Sequence, residues 1–207
     1  PFTMKKQLNI NNIFSSPIAS LNLDFDTETI QDYCYKTKFG NTGVQISNID
    51  GWQSADLVFP NPLNNIAQTA CNVGQTYFEN LNGKKEYQTF LDNMWININP
   101  KGGYNMPHIH PKTFVSGVVY VKTPQNCGKI WFMHPSDAIE YDWLSKPYWK
   151  EYTENTSRLY YMNVQPKMLY IFPSWLKHGV EPNTSDEDRI SISFNIGLEE
   201  KNISMES

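Results

Sequence analysis

From Tyr87 onward the chain is cut into short apolar or alternating runs: Phe90 to Ile98, Phe114 to Val121, Lys129 to Met133, Met168 to Phe172 and Ile190 to Ile196. Gly, Pro and Asn punctuate them. Runs this short, rich in Val, Ile, Tyr and Phe and bounded by turn formers, suit strands and are too brief for stable helices. Several in succession imply an antiparallel sandwich or jelly roll, so the fold class is mainly β with flanking α-helices. A polar, aromatic excursion over 134–163 interrupts the series. An insertion of that length in a β-domain ordinarily serves as a lid or binding loop. Its Trp143, Tyr148, Trp149 and Tyr152 are expected to form part of a substrate wall, or equally an oligomer contact.

Ahead of this region lies support. Ile18 to Phe25 reads as a short strand, and Asp26 opens a helix with an apolar stripe of Ile30, Tyr33 and Cys34, closed by Phe39-Gly40. The stretch from Asn41 to Pro60 carries no usable period and reads as irregular. The strongest helix follows, with Asn61 as cap, Pro62 at its first position and Gly83 as its stop. Leu63, Ile66, Ala67, Ala70, Cys71, Tyr77, Phe78 and Leu81 fall on one face, which needs a sheet to cover. At 207 residues the chain is expected to be one domain. Residues 1–86 would be the support and 87–200 the β core, with the insertion at 134–163. Pro1-Phe2-Thr3 reads as an appended remnant ahead of Met4 as the natural start.

Charge narrows the partners. With 17 basic and 21 acidic residues the net charge is −4, and no basic stripe is visible, so a nucleic-acid partner is not indicated. A small molecule or a peptide is the expected substrate, and a homo-oligomer stays open. Cys34, Cys71 and Cys127 are widely spaced, form no CxxC pair and leave one unpaired, which suits reduced thiols and the cytoplasm of a cell or of an infected host. The sequence has no apolar run of about 18 residues or more and no signal-peptide pattern, so no membrane is expected.

The chemistry concentrates in Asn105-Met106-Pro107-His108-Ile109-His110-Pro111. Residues two apart on an extended backbone share a face, so His108 and His110 are able to reach one metal ion. His178 follows another apolar run, Met168 to Trp175. Any one imidazole is more often a hydrogen-bonded or surface residue, but three of only four His at strand ends favour a three-ligand metal set with open positions. His134 is left as a loop residue. Arg189 and Ser191 open the last strand two residues apart, and a planar guanidinium beside a hydroxyl suits a carboxylate. Taken alone, Arg189 reads equally as a solvated edge charge. Tyr120, ten residues past His110 and on the neighbouring strand if the sheet is antiparallel, is able to supply a phenol to the same carboxylate, and otherwise is core packing.

His-x-His-Pro, a strand ending in Tyr120, Phe172-Pro173-Ser174-x-x-x-His178 and Arg189-x-Ser191, in this order, resemble the Fe(II) and 2-oxoglutarate dependent oxygenases. The prolyl-hydroxylase-like branch is nearest, together with a phage and bacterial group that carries H-x-H-P. The resemblance spans roughly residues 90 to 197. It implies a double-stranded β-helix (jelly roll, cupin-like) using Fe(II), 2-oxoglutarate and O₂ to hydroxylate a C–H bond. It also implies His108 and His178 as metal ligands, Arg189 as partner of the distal carboxylate, and Ser191 and Tyr120 as its helpers.

The departure is His110, where most of the family has a carboxylate. Three neutral imidazoles leave the metal one unit more positive than two His and a carboxylate, a change that favours anionic 2-oxoglutarate, shifts the iron's redox behaviour and admits zinc. The alternative is that water or a carboxylate such as Asp137 takes that position. Two other functions compete: a three-His zinc hydrolase or lyase, which has no need of the Arg189 clamp, and a non-enzymatic jelly-roll binding or viral structural module.

Overall fold

The computed structural model describes residues 9–58, 62–144 and 148–201. Its elements in chain order are β1 (Ala19–Asn22), α1 (Thr27–Lys38), β2 (Asn48–Ile49), β3 (Trp52–Gln53), α2 (Asn64–Asn80), β4 (Tyr87–Asn99) and β5 (Tyr104–His108). They continue with β6 (Val115–Lys122), β7 (Ile130–Met133), α3 (Ala138–Asp142), β8 (Leu159–Met162), β9 (Met168–Pro173), β10 (His178–Val180) and β11 (Arg189–Glu200). All strand pairings are antiparallel. The larger sheet has the order β1-β9-β6-β11-β4-β3, and the smaller β2-β5-β10-β7-β8.

Alternation divides the larger sheet into two faces. Met94, Ile96 and Ile98 of β4 and Ile190, Ile192, Phe194 and Ile196 of β11 join Ile66, Ala67, Ala70 and Tyr77 of α2 in one buried cluster. Each such side chain stabilises the fold by about 1.5–3 kcal/mol when removed from water. A second cluster lies between the sheets, with Val118, Tyr120, Ile130, Phe132, Tyr170, Phe172 and Leu176. It fills one part of the sandwich, and the remainder is the cavity described below.

The helices follow local signals in part. Asp26 caps α1, its carboxylate accepting from the Glu28 N–H at 3.1 Å and the Thr29 hydroxyl at 2.6 Å. The second helix departs from expectation: it begins at Asn64, and Leu63 stands at the cap with no side-chain bond. Pro62 is in the preceding turn, and Asn61 lies outside the described residues. Burial sets this start, since Leu63 is 0% exposed, whereas Leu81 at the far end of the expected stripe is 49% exposed. The stretch read as irregular contributes two strands of two residues each: β2 pairs with β5, and β3 with β4. Elements so short have no period to read. The first strand is shorter than Ile18 to Phe25, and the excursion over 134–163 carries α3 and β8, the latter extending the smaller sheet beside β7. The Pro1-Phe2-Thr3 remnant lies outside the described residues. Among the described residues no helix is long and apolar enough to cross a membrane.

Gly117 of β6 is where the sheet requires the absence of a side chain. A Cβ there would stand 2.8 Å from the Tyr170 carbonyl oxygen and run into the Phe194 ring. Gly117→Ala is expected to destabilise the protein by about 1–3 kcal/mol, read as a lower urea midpoint at unchanged slope. An unchanged midpoint would mean that β6 and β9 spread freely.

Candidate active site

Two strands of the smaller sheet carry two of the imidazoles. His108 ends β5 and His178 begins β10, and the two are paired directly across the antiparallel ladder. His110 lies two residues beyond β5, where its backbone N–H donates to the Ser174 carbonyl at 2.9 Å. The ring centroids are 4.9 Å apart for His108 and His110, 4.4 Å for His108 and His178, and 5.2 Å for His110 and His178. One ligand nitrogen from each lies within 4.8 Å of the others. An ion at the usual metal–nitrogen distance of about 2.0–2.1 Å is able to draw them together.

The tautomers suit ligation. His108 Nδ1 is 2.7 Å from the Met106 carbonyl and His178 Nδ1 is 2.8 Å from the Leu176 carbonyl. A carbonyl only accepts, so both Nδ1 atoms carry the proton and Nε2 is left with a lone pair for a metal. Burial holds all three rings neutral. It pulls His110 down to about 4, with His108 adding to the effect, and pulls His108 and His178 below the ordinary imidazole range against the small opposing influence of their carbonyl partners.

Arg189 sits across the cavity on β11. It is 1% exposed, so it is no edge charge. Its Nη1 donates to the Cys127 carbonyl and, at 3.1 Å, to the Glu181 carbonyl. Its Nη2 is buried without a partner. A buried guanidinium donor left unpaired is costly unless a ligand completes it, and a carboxylate is its natural complement. The strand of Tyr120, β6, does not neighbour β5 but lies in the other sheet beside β11, where Tyr120 is opposite Ser191, and both line the same cavity as Arg189 and the three His. Burial pushes the Tyr120 phenol up, with Arg189 pulling the other way, so it remains a hydroxyl donor at neutral pH.

The cavity holds about 320 Å³. Several lining residues escaped the sequence reading: Gln53, Asp56, Asn93, Trp95, Asn97, Ser193 and Asn195. Their signal is the alternation Asn93-x-Trp95-x-Asn97 and Ser191-x-Ser193-x-Asn195, which ordinarily marks a strand face turned to water. The aromatic excursion is a correction. Trp143, Tyr148, Trp149 and Tyr152 are exposed and do not line the cavity; Trp143 and Trp149 pack on each other with centroids 5.6 Å apart. Nor does Asp137 reach the imidazoles: it sits at the start of α3, and the metal-ligating group among the described residues contains no carboxylate. His134 is in the turn after β7, its Nδ1 accepting from the Ser136 N–H at 3.0 Å.

A family model described as "Putative 2OG-Fe(II) oxygenase" matches residues 93–195. This interval runs from β4 to β11 and contains all three imidazoles and the clamp. Over this interval the chain is a 2OG-Fe(II) oxygenase, an enzyme class whose cofactor and cosubstrates are Fe(II), 2-oxoglutarate and O₂. Solved structures share its double-stranded β-helix. A Pseudomonas putida prolyl-4-hydroxylase superposes with a TM-score of 0.62 at 10% identity, covering 88% of this chain and 93% of that one. The viral collagen prolyl hydroxylase of Paramecium Bursaria Chlorella virus-1 does so at 0.54 and 11%, covering 86% and 94%. HygX of Streptomyces hygroscopicus, solved with nickel, 2-oxoglutarate and hygromycin B, does so at 0.58 and 13%, covering 88% and 83%. A search of the curated proteins finds no match. Membership of an enzyme family sets aside the non-enzymatic jelly-roll reading.

The imidazole environment yields a pH prediction for metal-free protein. The three rings bind protons less readily when folded than in the unfolded chain, where His titrates near 6.5. Their contribution to stability is complete above that pH and is lost as the pH falls from about 6.5 toward about 4. Thermal unfolding of chelator-treated protein should therefore show a midpoint that drops over this window. The drop should be shallower in His108→Gln/His178→Gln, and equal slopes would mean the rings are solvated.

Proposed function

We propose that this protein is a dioxygenase that hydroxylates a C–H bond of a small molecule or peptide, with His108, His110 and His178 holding iron. The observation that carries the reading is the presence, in one cavity, of three neutral imidazoles and a buried guanidinium with an unpartnered Nη2. Donor set and orphaned donor together fit an iron and a dicarboxylate. When bound, iron, 2-oxoglutarate and O₂ supply the oxidation: one oxygen atom enters the substrate C–H bond as hydroxyl, and the other enters succinate as CO₂ leaves.

The residues of the chain bind and orient. Arg189 takes the distal carboxylate of 2-oxoglutarate through Nη2, while the Cys127 and Glu181 carbonyls fix its Nη1. Ser191 and Tyr120 add hydroxyl donors to the same carboxylate. The carbonyls of Met106 and Leu176 hold His108 and His178 in the ligating tautomer. Trp95, its ring centred 5.7 Å from His110, covers the third imidazole from the floor and limits water at the metal. With no carboxylate among the three residues, an iron held there would keep its full charge for the keto-acid end of 2-oxoglutarate. A zinc hydrolase would make no use of this clamp.

The deciding experiment is succinate formation from 2-oxoglutarate with iron, across a panel of acceptors. Arg189→Lys is expected to weaken 2-oxoglutarate binding about tenfold or more, because an ammonium cannot hold the Cys127 and Glu181 carbonyls and a carboxylate in one planar fork. An unchanged Kd in that variant would detach Arg189 from the cosubstrate. For the metal, His178→Ala should lose stoichiometric iron, His110→Ala should weaken it, and His110→Asp should keep iron and turnover. If the Ala and Asp variants at 110 bind iron as tightly as the parent, His110 lies outside the ligand set.

A further inference from the structure

The floor of the cavity is a ladder of three rungs across β4, β11 and β6. The first is Asn97–Ser191–Tyr120, the second Trp95–Ser193–Val118 and the third Asn93–Asn195–Ser116. The first rung, with Arg189 beyond it, belongs to the clamp. The second lies by His110, which Trp95 approaches. The third is six residues along β11 from Arg189, about 20 Å at the usual rise, beyond the Trp95 rung and out of reach of the clamp. Nothing in the cosubstrate reading uses it.

That third rung is a directed hydrogen-bond relay. The Ser116 hydroxyl donates to Asn195 Oδ1 at 2.7 Å, and Asn195 Nδ2 donates to Asn93 Oδ1 at 2.8 Å. Asn93 Nδ2 then donates to both carboxylate oxygens of Asp56 at 3.3 Å. Ser116 is 1% exposed and Asn195 8%, so the relay starts in the interior and emerges at Asp56, an exposed carboxylate that lines the cavity. Aligned donors of this kind polarise one another and fix the last acceptor. Among the described residues no Lys or Arg forms an ion pair with Asp56.

The first rung also carries an unmet acceptor. Asn97 is 5% exposed, lines the cavity, and donates through Nδ2 to Ser193 Oγ at 3.0 Å, while its Oδ1 is buried without a partner. Asn97 stands on the first rung, so this unmet acceptor belongs near the clamp; the acceptor that the third rung offers an occupant is the Asp56 carboxylate, which calls for donors. The rim is different in kind: Ile46 and Ile109 line the cavity yet are 73% and 45% exposed, with Pro111 beside them. An occupant that satisfies both has an aliphatic stem for the rim and a cationic, donor-rich end for the carboxylate.

We propose that the substrate of this oxygenase carries a primary ammonium or a guanidinium on an aliphatic stem, and that Asp56, held by Asn93, receives it. The inference rests on the oxygenase reading above and adds the substrate class to it. Both charged ends of the cavity are then matched, with the dicarboxylate on Arg189 and the cation on Asp56. The same chemistry is offered by a free basic amino acid and by a basic side chain within a peptide.

The test uses the whole protein, first loaded with iron and 2-oxoglutarate without oxygen. The probes are L-lysine, L-arginine, L-norleucine and L-glutamate, each free and each as the central residue of a capped tripeptide. Binding is measured by calorimetry and succinate formation after oxygen is admitted. Lysine or arginine, in one format or the other, should bind at least about tenfold more tightly than norleucine and should stimulate succinate formation, with glutamate weakest. The format that binds identifies the source. In Asp56→Asn the ratio of lysine to norleucine affinity should fall toward one. Equal or absent binding of lysine and norleucine by the parent, or an undiminished ratio in Asp56→Asn, overturns the proposal. Failure of the oxygenase reading shows itself earlier and separately, as iron and 2-oxoglutarate that do not bind before any probe is added.

Discussion

The structure depends on the antiparallel ladder that sets β11 between β4 and β6. Strand side chains alternate, so one ladder presents Ile190, Ile192, Phe194 and Ile196 to the helices and Arg189, Ser191, Ser193 and Asn195 to the cavity. Stability and chemistry are written on opposite faces of the same residues' backbone. A slip of one residue would send a guanidinium and two serines into the apolar layer under α2. The apolar face therefore fixes the register on which every cavity contact relies. Gly74 of α2 contributes by letting the helix approach, since a Cβ there would stand 2.9 Å from Ile196.

Burying Arg189 is the expensive step in this design. A guanidinium withdrawn from water requires compensating partners, and its neighbours supply carbonyls and not a carboxylate. Gly128, at φ +84°, allows the 127–129 turn to close over it, and a side chain at that position would collide with the Glu181 carbonyl at 2.6 Å. Neutral acceptors hold the cation without cancelling its charge. An adjacent acid would have used up the attraction that a diffusible carboxylate is meant to satisfy.

The sequence disclosed those parts of the site that rest on local periodicity. His108 and His110 share a face because they are two residues apart, and Arg189 and Ser191 do so for the same reason. The strands of the β core were legible because each is a run with turn residues at its ends. The start of α2 was not, since Leu63 is set by tertiary burial and not by a capping side chain. β2 and β3, two residues each, exist only through pairing with distant partners. The polar floor stayed hidden for a different reason. Asn93, Asn97 and Asn195 produce the same alternation whether a strand faces bulk water or a water-sized interior, and only closure of the second sheet distinguishes the two. The aromatic-rich segment misled in the opposite sense, because Trp143 and Trp149 satisfy one another on the surface.

The carbonyl partners of His108 and His178 are each only two residues upstream, at Met106 and Leu176. The proton of each imidazole is thus placed by the chain just ahead of it, while Phe172 of the larger sheet packs on the His178 ring with centroids 4.6 Å apart. If the two sheets shift relative to one another, His108 and His178 move together on the smaller one, and the proton on each Nδ1 stays where it is. Such a shift would change the distance from the imidazoles to Arg189 on the larger sheet and leave the ligating lone pairs in place.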